Sequence, residues 1–124
     1  MKIPLISVVI PSFSRATMLP RAIDSVLSQT HTNVEVIVVD DNGNGTEYQI
    51  ETRNSILKYL SEGNVKYIVN PINMGGSESR NVGINNACGE YVTFLDDDDE
   101  YYVDKLEKQL KFYLEHIPNK NGFI

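Results

Sequence analysis

The sequence is short of cysteine, of basic residues and of long apolar runs, and each shortage closes off a class of protein. Its single cysteine, Cys88, excludes an internal disulfide and is what a reducing cytoplasm permits. Lys and Arg number 11 against 17 Asp and Glu, a formal charge of −6. That balance argues against nucleic acid as a partner, because binding a phosphate backbone needs clustered cations. No apolar run reaches the roughly 18 residues of a membrane-spanning helix. The opening Met1-Lys2-Ile3-Pro4 carries no small-residue cleavage site and does not read as a signal peptide. There is no internal repeat and no low-complexity linker.

What is present suits one compact domain: 124 residues, 41% hydrophobic and 23% charged. Strand and helix patterns alternate along it. Leu5 to Ile10 is a β-branched run stopped by Pro11, as expected of a strand buried on both faces. Leu19, Ala22, Ile23, Val26 and Leu27 recur at helical spacing. Val34 to Val39 is a second strand, closed by the turn formers Asp40 to Gly45. Ile50, Leu57 and Leu60 mark a weaker second helix, and Val65 to Val69 a third strand. Ser77 to about Ala87 reads as a helix with Gly83 a local weak point. Tyr91 to Leu95 is the fourth strand. Leu106, Leu110, Tyr113, Leu114 and Ile117 share one face of a last helix that Pro118 ends.

This order predicts an α/β fold, a mostly parallel Rossmann-like sheet with helices on both faces. In such sheets ligands bind beyond the carboxyl ends of the strands. The segments after strands one, two and four therefore converge: Pro11-Ser12-Phe13, Asp40-Asp41-Asn42, and Asp96 to Glu100. An acidic run is ordinarily a solvated surface. This one follows an apolar strand directly, and crowded carboxylates repel unless a cation compensates. Asp96 and Asp98, two apart in a chain turning out of a strand, suit a hard divalent ion such as Mg²⁺ shared with substrate phosphates. Of Asp40 and Asp41, one is expected to serve only turn chemistry. The other can accept the imide N–H of uracil or thymine, or guanine's N–H edge, and would repel cytosine's ring nitrogen. Phe13 is either a stacking face for that base or a core aromatic. In Asn73 to Asn81, two glycines precede a helix N-terminus, a natural anion site, and Arg80 can reach a phosphate or pair with the acidic rim. His31 and His116 read as surface or packing residues. Tyr101, Tyr102 and Asp104 lie where a sugar would pass, although Asp104 serves equally as a helix N-cap.

Five stretches together resemble the donor-binding half of the inverting glycosyltransferases of family two, in that family's order and spacing. They are Ser7-Val-Val-Ile-Pro-Ser-Phe-Ser14, Ser25-Val-Leu-Ser-Gln-Thr30, Glu35-Val-Ile-Val-Val-Asp-Asp-Asn42, Asn73-Met-Gly75 with Ser79-Arg-Asn-Val-Gly-Ile84, and Gly89-Glu-Tyr-Val-Thr-Phe-Leu-Asp-Asp-Asp-Asp99. The resemblance implies the GT-A-like fold of nucleotide-diphospho-sugar transferases, here as the donor-binding portion across residues 1–124. It implies that Pro11 and Phe13 contact the base, that Asp41 binds its N–H, and that Arg80 lies against the nucleotide. Asp96 and Asp98 fall on the two acidic positions of the Asp-x-Asp motif, Asp98 as the direct ligand of Mn²⁺ or Mg²⁺ and Asp97 facing the ribose. Asp97 departs from the small residue usual at the middle position, and Val103 from a frequent proline.

The implied partners are a nucleotide-diphosphate sugar and a saccharide or lipid-linked acceptor. The inverting base is expected beyond residue 124. A cytoplasmic location follows, with a peripheral place at the inner membrane face open to the full-length protein. Two rivals differ in class. A phosphorelay receiver carries its acidic pair after the first strand and a phospho-accepting Asp after the third, whereas here the pair follows the second and the third ends in Asn70-Pro71. A non-catalytic nucleotide-binding module differs only in lacking the base. A dinucleotide-binding oxidoreductase is disfavoured because no Gly-x-Gly-x-x-Gly follows the first strand.

Overall fold

The computed structural model describes residues 3–117 and 121–124. The strands are β1 (Ile6–Ser12), β2 (Val34–Asp40), β3 (Val65–Val69), β4 (Tyr91–Phe94) and β5 (Gly122–Phe123). The helices are α1 (Leu19–Leu27), α2 (Glu47–Leu60), α3 (Gly76–Asn85) and α4 (Lys105–His116). The strands form one sheet in the order β3-β2-β1-β4-β5, every pair parallel. Ile6, Val8, Ile10, Val36 and Val38 face one way, beneath α1, α2 and α4. Val9, Ile37 and Val39 face the other way, beneath α3. The chain winds outward from β1 through β2 to β3, and then returns across β1 to β4. That reversal opens a crevice at the carboxyl ends of β1 and β4, the position at which doubly wound sheets bind ligands.

Several local expectations need correction. β1 runs through Pro11 to Ser12. Even-numbered residues of β1 bond to β2, as Ile6 N–H to Asn33 O and Asp41 N–H to Ser12 O show. Odd-numbered ones face β4, where Val9 O accepts Leu95 N–H. Pro11 has its register partner in Val39 and lies beyond the end of β4, so its missing N–H costs no ladder bond. On α2 the expected apolar face is turned outward: Ile50 and Leu57 are exposed, whereas Gln49, Thr52, Ile56 and Tyr59 are buried and Leu60 packs against the core. The buried polar groups are satisfied, Gln49 by Gly45 N–H and the Tyr67 hydroxyl and Thr52 by Tyr48 O and the Asn42 amide. Such satisfaction lets tertiary contact override hydrophobic periodicity.

Gly83 is a requirement rather than a weak point. A Cβ there would collide with the Val9 side chain, so only glycine lets α3 lie this close to β1. Along α4, Leu106 and Leu110 are buried while Leu114 and Ile117 are exposed. Pro118, expected to end that helix, lies outside the described residues. The sequence pattern gave no sign of β5, which pairs through two residues only, Gly122 with Tyr91 and Phe123 with Val92.

Candidate functional site

A cleft of about 370 Å³ opens at the crevice, lined by Pro11, Phe13, Arg15, Asp41, Asn73, Gly75, Gly76, Ser79 and Asp97 among others. Four of the residues expected from the sequence, Pro11, Phe13, Asp41 and Asp97, therefore meet in one place. Phe13 is 52% exposed, which removes the core-aromatic reading and leaves the residue on the wall of the cleft. After it the chain turns sharply at Ser14, the one described non-glycine residue with positive φ, at 56°. Ser14 N–H donates to Asn42 Oδ1 at 2.8 Å, which holds this turn against the end of β2.

Asp40 and Asp41 divide as expected of an alternating strand end. Asp40 is fully buried and accepts from the Tyr67 hydroxyl at 2.6 Å and from Asn42 N–H and its amide. Burial, with Asp40 beside it, pushes the Tyr67 hydroxyl pKa up. Asp41 turns to the cleft but is heavily engaged. Its Oδ1 accepts from the Asn70 amide (2.9 Å) and Met74 N–H (2.7 Å), and its Oδ2 from the Asn73 amide (2.9 Å) and Gly75 N–H (2.9 Å). The anion beside the N-terminus of α3 is thus the protein's own Asp41, which fastens the 70–76 loop to β2. Ser79, fully buried on α3, accepts from the same Asn70 amide.

The acidic run also divides. Asp97, 5% exposed, turns inward; its Oδ2 accepts Phe13 N–H at 3.0 Å and its Oδ1 the Arg15 guanidinium at 3.1 Å. Asp96, Asp98 and Asp99 turn outward, each with an oxygen within 4.8 Å of the others. The bond from Asp99 N–H to Asp96 O makes the turn that gathers them. Hard oxygen donors at this spacing suit Mg²⁺ or Mn²⁺. Arg80 lies outside the cleft lining, its Nη2 3.8 Å from Asp96 Oδ1. Arg21 donates to the main-chain oxygen of Asp98 at 3.0 Å.

Two residues were missed. Asp99 joins the outward group, although spacing singled out Asp96 and Asp98. Arg15 bridges Asp97 and Asp98; its place in the loop that carries Phe13 was the available signal. Asp97 first, and Asp98 after it, raise the guanidinium's pKa above its ordinary value. The neighbouring candidates fare differently. Tyr101 spends its hydroxyl on Phe94 O at 2.6 Å, whereas Tyr102 is 86% exposed. Asp104 occupies the N-cap position of α4 without a side-chain cap bond and pairs with Lys108 at 2.8 Å. His31 is a packing residue, buried against Pro4 O, whereas His116 is a surface residue stacked on the exposed Phe112.

The family model for glycosyl transferase family 2 matches residues 7–118, and the chain belongs to that family. An uncharacterized glycosyltransferase of Haemophilus influenzae is 40% identical over 123 residues, 98% of this chain and 48% of the relative. One of Rickettsia felis is 42% identical over 119 residues, 96% of this chain and 18% of the relative. The chain thus spans less than half the length of these curated relatives. Among solved structures, Staphylococcus aureus TarS residues 1–349, crystallised with UDP, superposes with a TM-score of 0.71 at 32% identity, over 90% of this chain and 32% of TarS. The same TarS fragment was also crystallised with UDP-GlcNAc. The mannosyltransferase PcManGT of Pyrobaculum calidifontis, solved with GDP-Man and Mn²⁺, gives 0.77 at 21% identity, over 89% of this chain and 32% of that one, a likeness of fold.

Proposed function

We propose that residues 1–124 form the donor-binding portion of an inverting glycosyltransferase catalytic domain, taking a nucleotide-diphosphate sugar, UDP before other nucleotides, together with Mn²⁺ or Mg²⁺. The observation that carries this is the meeting, at one switch-point cleft, of an exposed aromatic side chain and a carboxylate, with the outward acidic group just beyond the lining and joined to it through Arg15. The UDP complexes of the 32%-identical TarS support the nucleotide class. Pro11 and Phe13 take the base, and Asp97 the ribose. Asp41 accepts the imide N–H. Of its four present donors, Asn73 is an exposed side chain, so it is the one a base can replace without detaching the main-chain N–H groups of Met74 and Gly75. Asp98 and Asp96 hold the metal with Asp99 beside them, and Arg80 supports the diphosphate.

A bound divalent ion would offset charge developing on the departing diphosphate. The protein's own part is to fix the base, order the 70–76 loop and present the leaving group. Inversion needs a base opposite that leaving group. In this reading the rim carboxylates are allotted to nucleotide or metal, on the leaving-group side, so we assign the base and the saccharide or lipid-linked acceptor to other parts of a longer protein. Among the described residues no helix is long and apolar enough to cross a membrane. A cytoplasmic position, peripheral to the inner face of the membrane, accords with the proposed donor.

Calorimetric titration with UDP, TDP, GDP and CDP, in Mn²⁺ and in chelator, tests the reading. UDP should bind best, by about tenfold over CDP, the worth of one charge-assisted hydrogen bond. Chelator and Asp98→Asn should each weaken UDP. Tighter binding of CDP, or equal UDP affinity with and without metal, would overturn the assignment.

A further inference from the structure

We propose that Arg15 is an exchangeable counter-ion of this site: its guanidinium holds Asp98 when no divalent cation is bound, and yields that carboxylate when one arrives. The inference deepens the metal reading above and rests on it. One nitrogen, Nη1, lies 3.1 Å from Asp97 Oδ1 and 3.2 Å from Asp98 Oδ2. The two contacts are unequal. The Asp97 side chain is 6% exposed and also bound by Phe13 N–H, so it cannot turn away without breaking the base of the 12–15 loop. The Asp98 side chain is 40% exposed and belongs to the outward group with Asp96 and Asp99. The contact to Asp98 is therefore the one that can open.

Arg15 is suited to the exchange. Its backbone is fixed from behind by the left-handed Ser14 and the Ser14–Asn42 bond. Its side chain is 48% exposed and lines the cleft, so it has room to move. A guanidinium offers five N–H donors, and among the described contacts only Nη1 is used on acids. Released from Asp98, the same group stays tethered to Asp97 with donors left over for an anion in the cleft. A cation that takes Asp98 and a diphosphate that takes Arg15 thus relieve each other's competitor, which is positive coupling between the two ligands.

The test is Mn²⁺ binding without nucleotide, read from the electron paramagnetic resonance signal of free Mn²⁺, on the whole 124-residue chain. Arg15→Gln should tighten Mn²⁺ by about two- to fivefold, the range expected for removing an exposed ionic competitor. Arg80→Gln deletes an equal charge 3.8 Å from Asp96 but breaks no contact with Asp98, and should tighten it less. Equal effects of the two, or no tightening by Arg15→Gln, would overturn the proposal as a mere field effect. Asp98→Asn separates the two layers: unchanged Mn²⁺ affinity there defeats the metal reading itself, whereas weakened Mn²⁺ with an inert Arg15→Gln defeats the exchange alone. Should Arg15→Gln fail to fold, the wild-type chain answers by NMR. Mg²⁺ should shift the Arg15 side-chain N–H signal and leave that of Arg53, on α2, in place; an unmoved Arg15 signal at saturating Mg²⁺ sinks the exchange.

Discussion

At the N-terminal end of the sheet stands one carboxylate with more donors than it can ignore; at the C-terminal end stand several carboxylates with too few. Glu35, at the start of β2, accepts from the Ser7 hydroxyl and Cys88 N–H through Oε2, and pairs with Lys66 through Oε1 at 3.0 Å. Lys66 in turn reaches Asn86 O and the exposed Cys88 thiol. At the far end, Asp97 and Asp98 share Arg15 and Asp96 has only a distant Arg80, while Asp99 and Glu100 form no ion pair among the described residues. Both ends carry acids where the strands terminate, so acidity alone distinguishes neither. What differs is stoichiometry. A closed network stabilises, and an open one leaves a demand for cations that a ligand can meet.

The largest effect should come from breaking the closed end where it is tightest. A Cβ at Gly89 would lie 2.5 Å from Ser7 Oγ, 2.7 Å from Ser7 N and 2.9 Å from Leu5 O. Two of these are backbone atoms of the central strand region and cannot step aside. Gly89→Ala should cost about 3 kcal/mol, the upper end of ordinary overpacking, measured by urea denaturation. Nucleotide affinity of the folded fraction should be unchanged, because the cleft lies at the other end of the sheet. A loss of affinity without a loss of stability would break the comparison.

Next in size is Glu35→Gln, at about 1–2 kcal/mol, because an amide would turn a donor toward existing donors. Its pH dependence sharpens the point. Burial opposes ionisation of Glu35, but Ser7, Cys88 N–H and Lys66 together outweigh it and hold the pKa below the usual 4.5. A depressed carboxylate contributes stability that is fully present above about 4.5 and lost as pH falls through the lower folded value. Stability of the wild type should therefore fall below pH 4.5 more steeply than that of Glu35→Gln. Parallel curves would show that Glu35 is not ionised in the fold.

The sheet, its parallel sense and the helices were legible because β-branched runs and helical periodicity are local signals. The rim was legible too, since topology alone sends the strand ends to one side. Legibility stopped where a residue's partner comes from a distant segment. Nothing adjacent to Asp41 reveals that Asn70, Asn73, Met74 and Gly75 return to fill it. Gly83 looks like a flaw until Val9 is placed beneath it, and α2 buries Gln49 and Thr52 because their partners sit on Gly45, Tyr67 and Asn42. β5, two residues long, has no pattern to read. Arg15 was passed over because its meaning lies in Asp97 and Asp98, more than eighty positions away.

The smallest expected effect is also the most discriminating, because it sets neighbours against each other. Asp97 and Asp99 are identical side chains in one acidic run, and composition treats them alike. Asp99 faces outward among like charges; Asp97 faces inward and holds Phe13 N–H and Arg15. In chelator, Asp99→Asn should therefore raise stability slightly, by roughly 0.2–1 kcal/mol, since it removes repulsion between exposed groups. That gain should shrink in high salt, where the screening length drops from about 10 Å at 0.1 M to about 3 Å at 1 M. Asp97→Asn should lower stability instead, and salt should matter less, because the lost bonds are partly buried. With saturating Mn²⁺ the advantage of Asp99→Asn should vanish, as the cation performs the same neutralisation in the wild type. Urea midpoints in low salt, high salt and Mn²⁺ resolve all three terms. If both substitutions destabilise, with no response to salt or metal, the open end of the sheet is as closed as the other and the acidic run is ordinary surface.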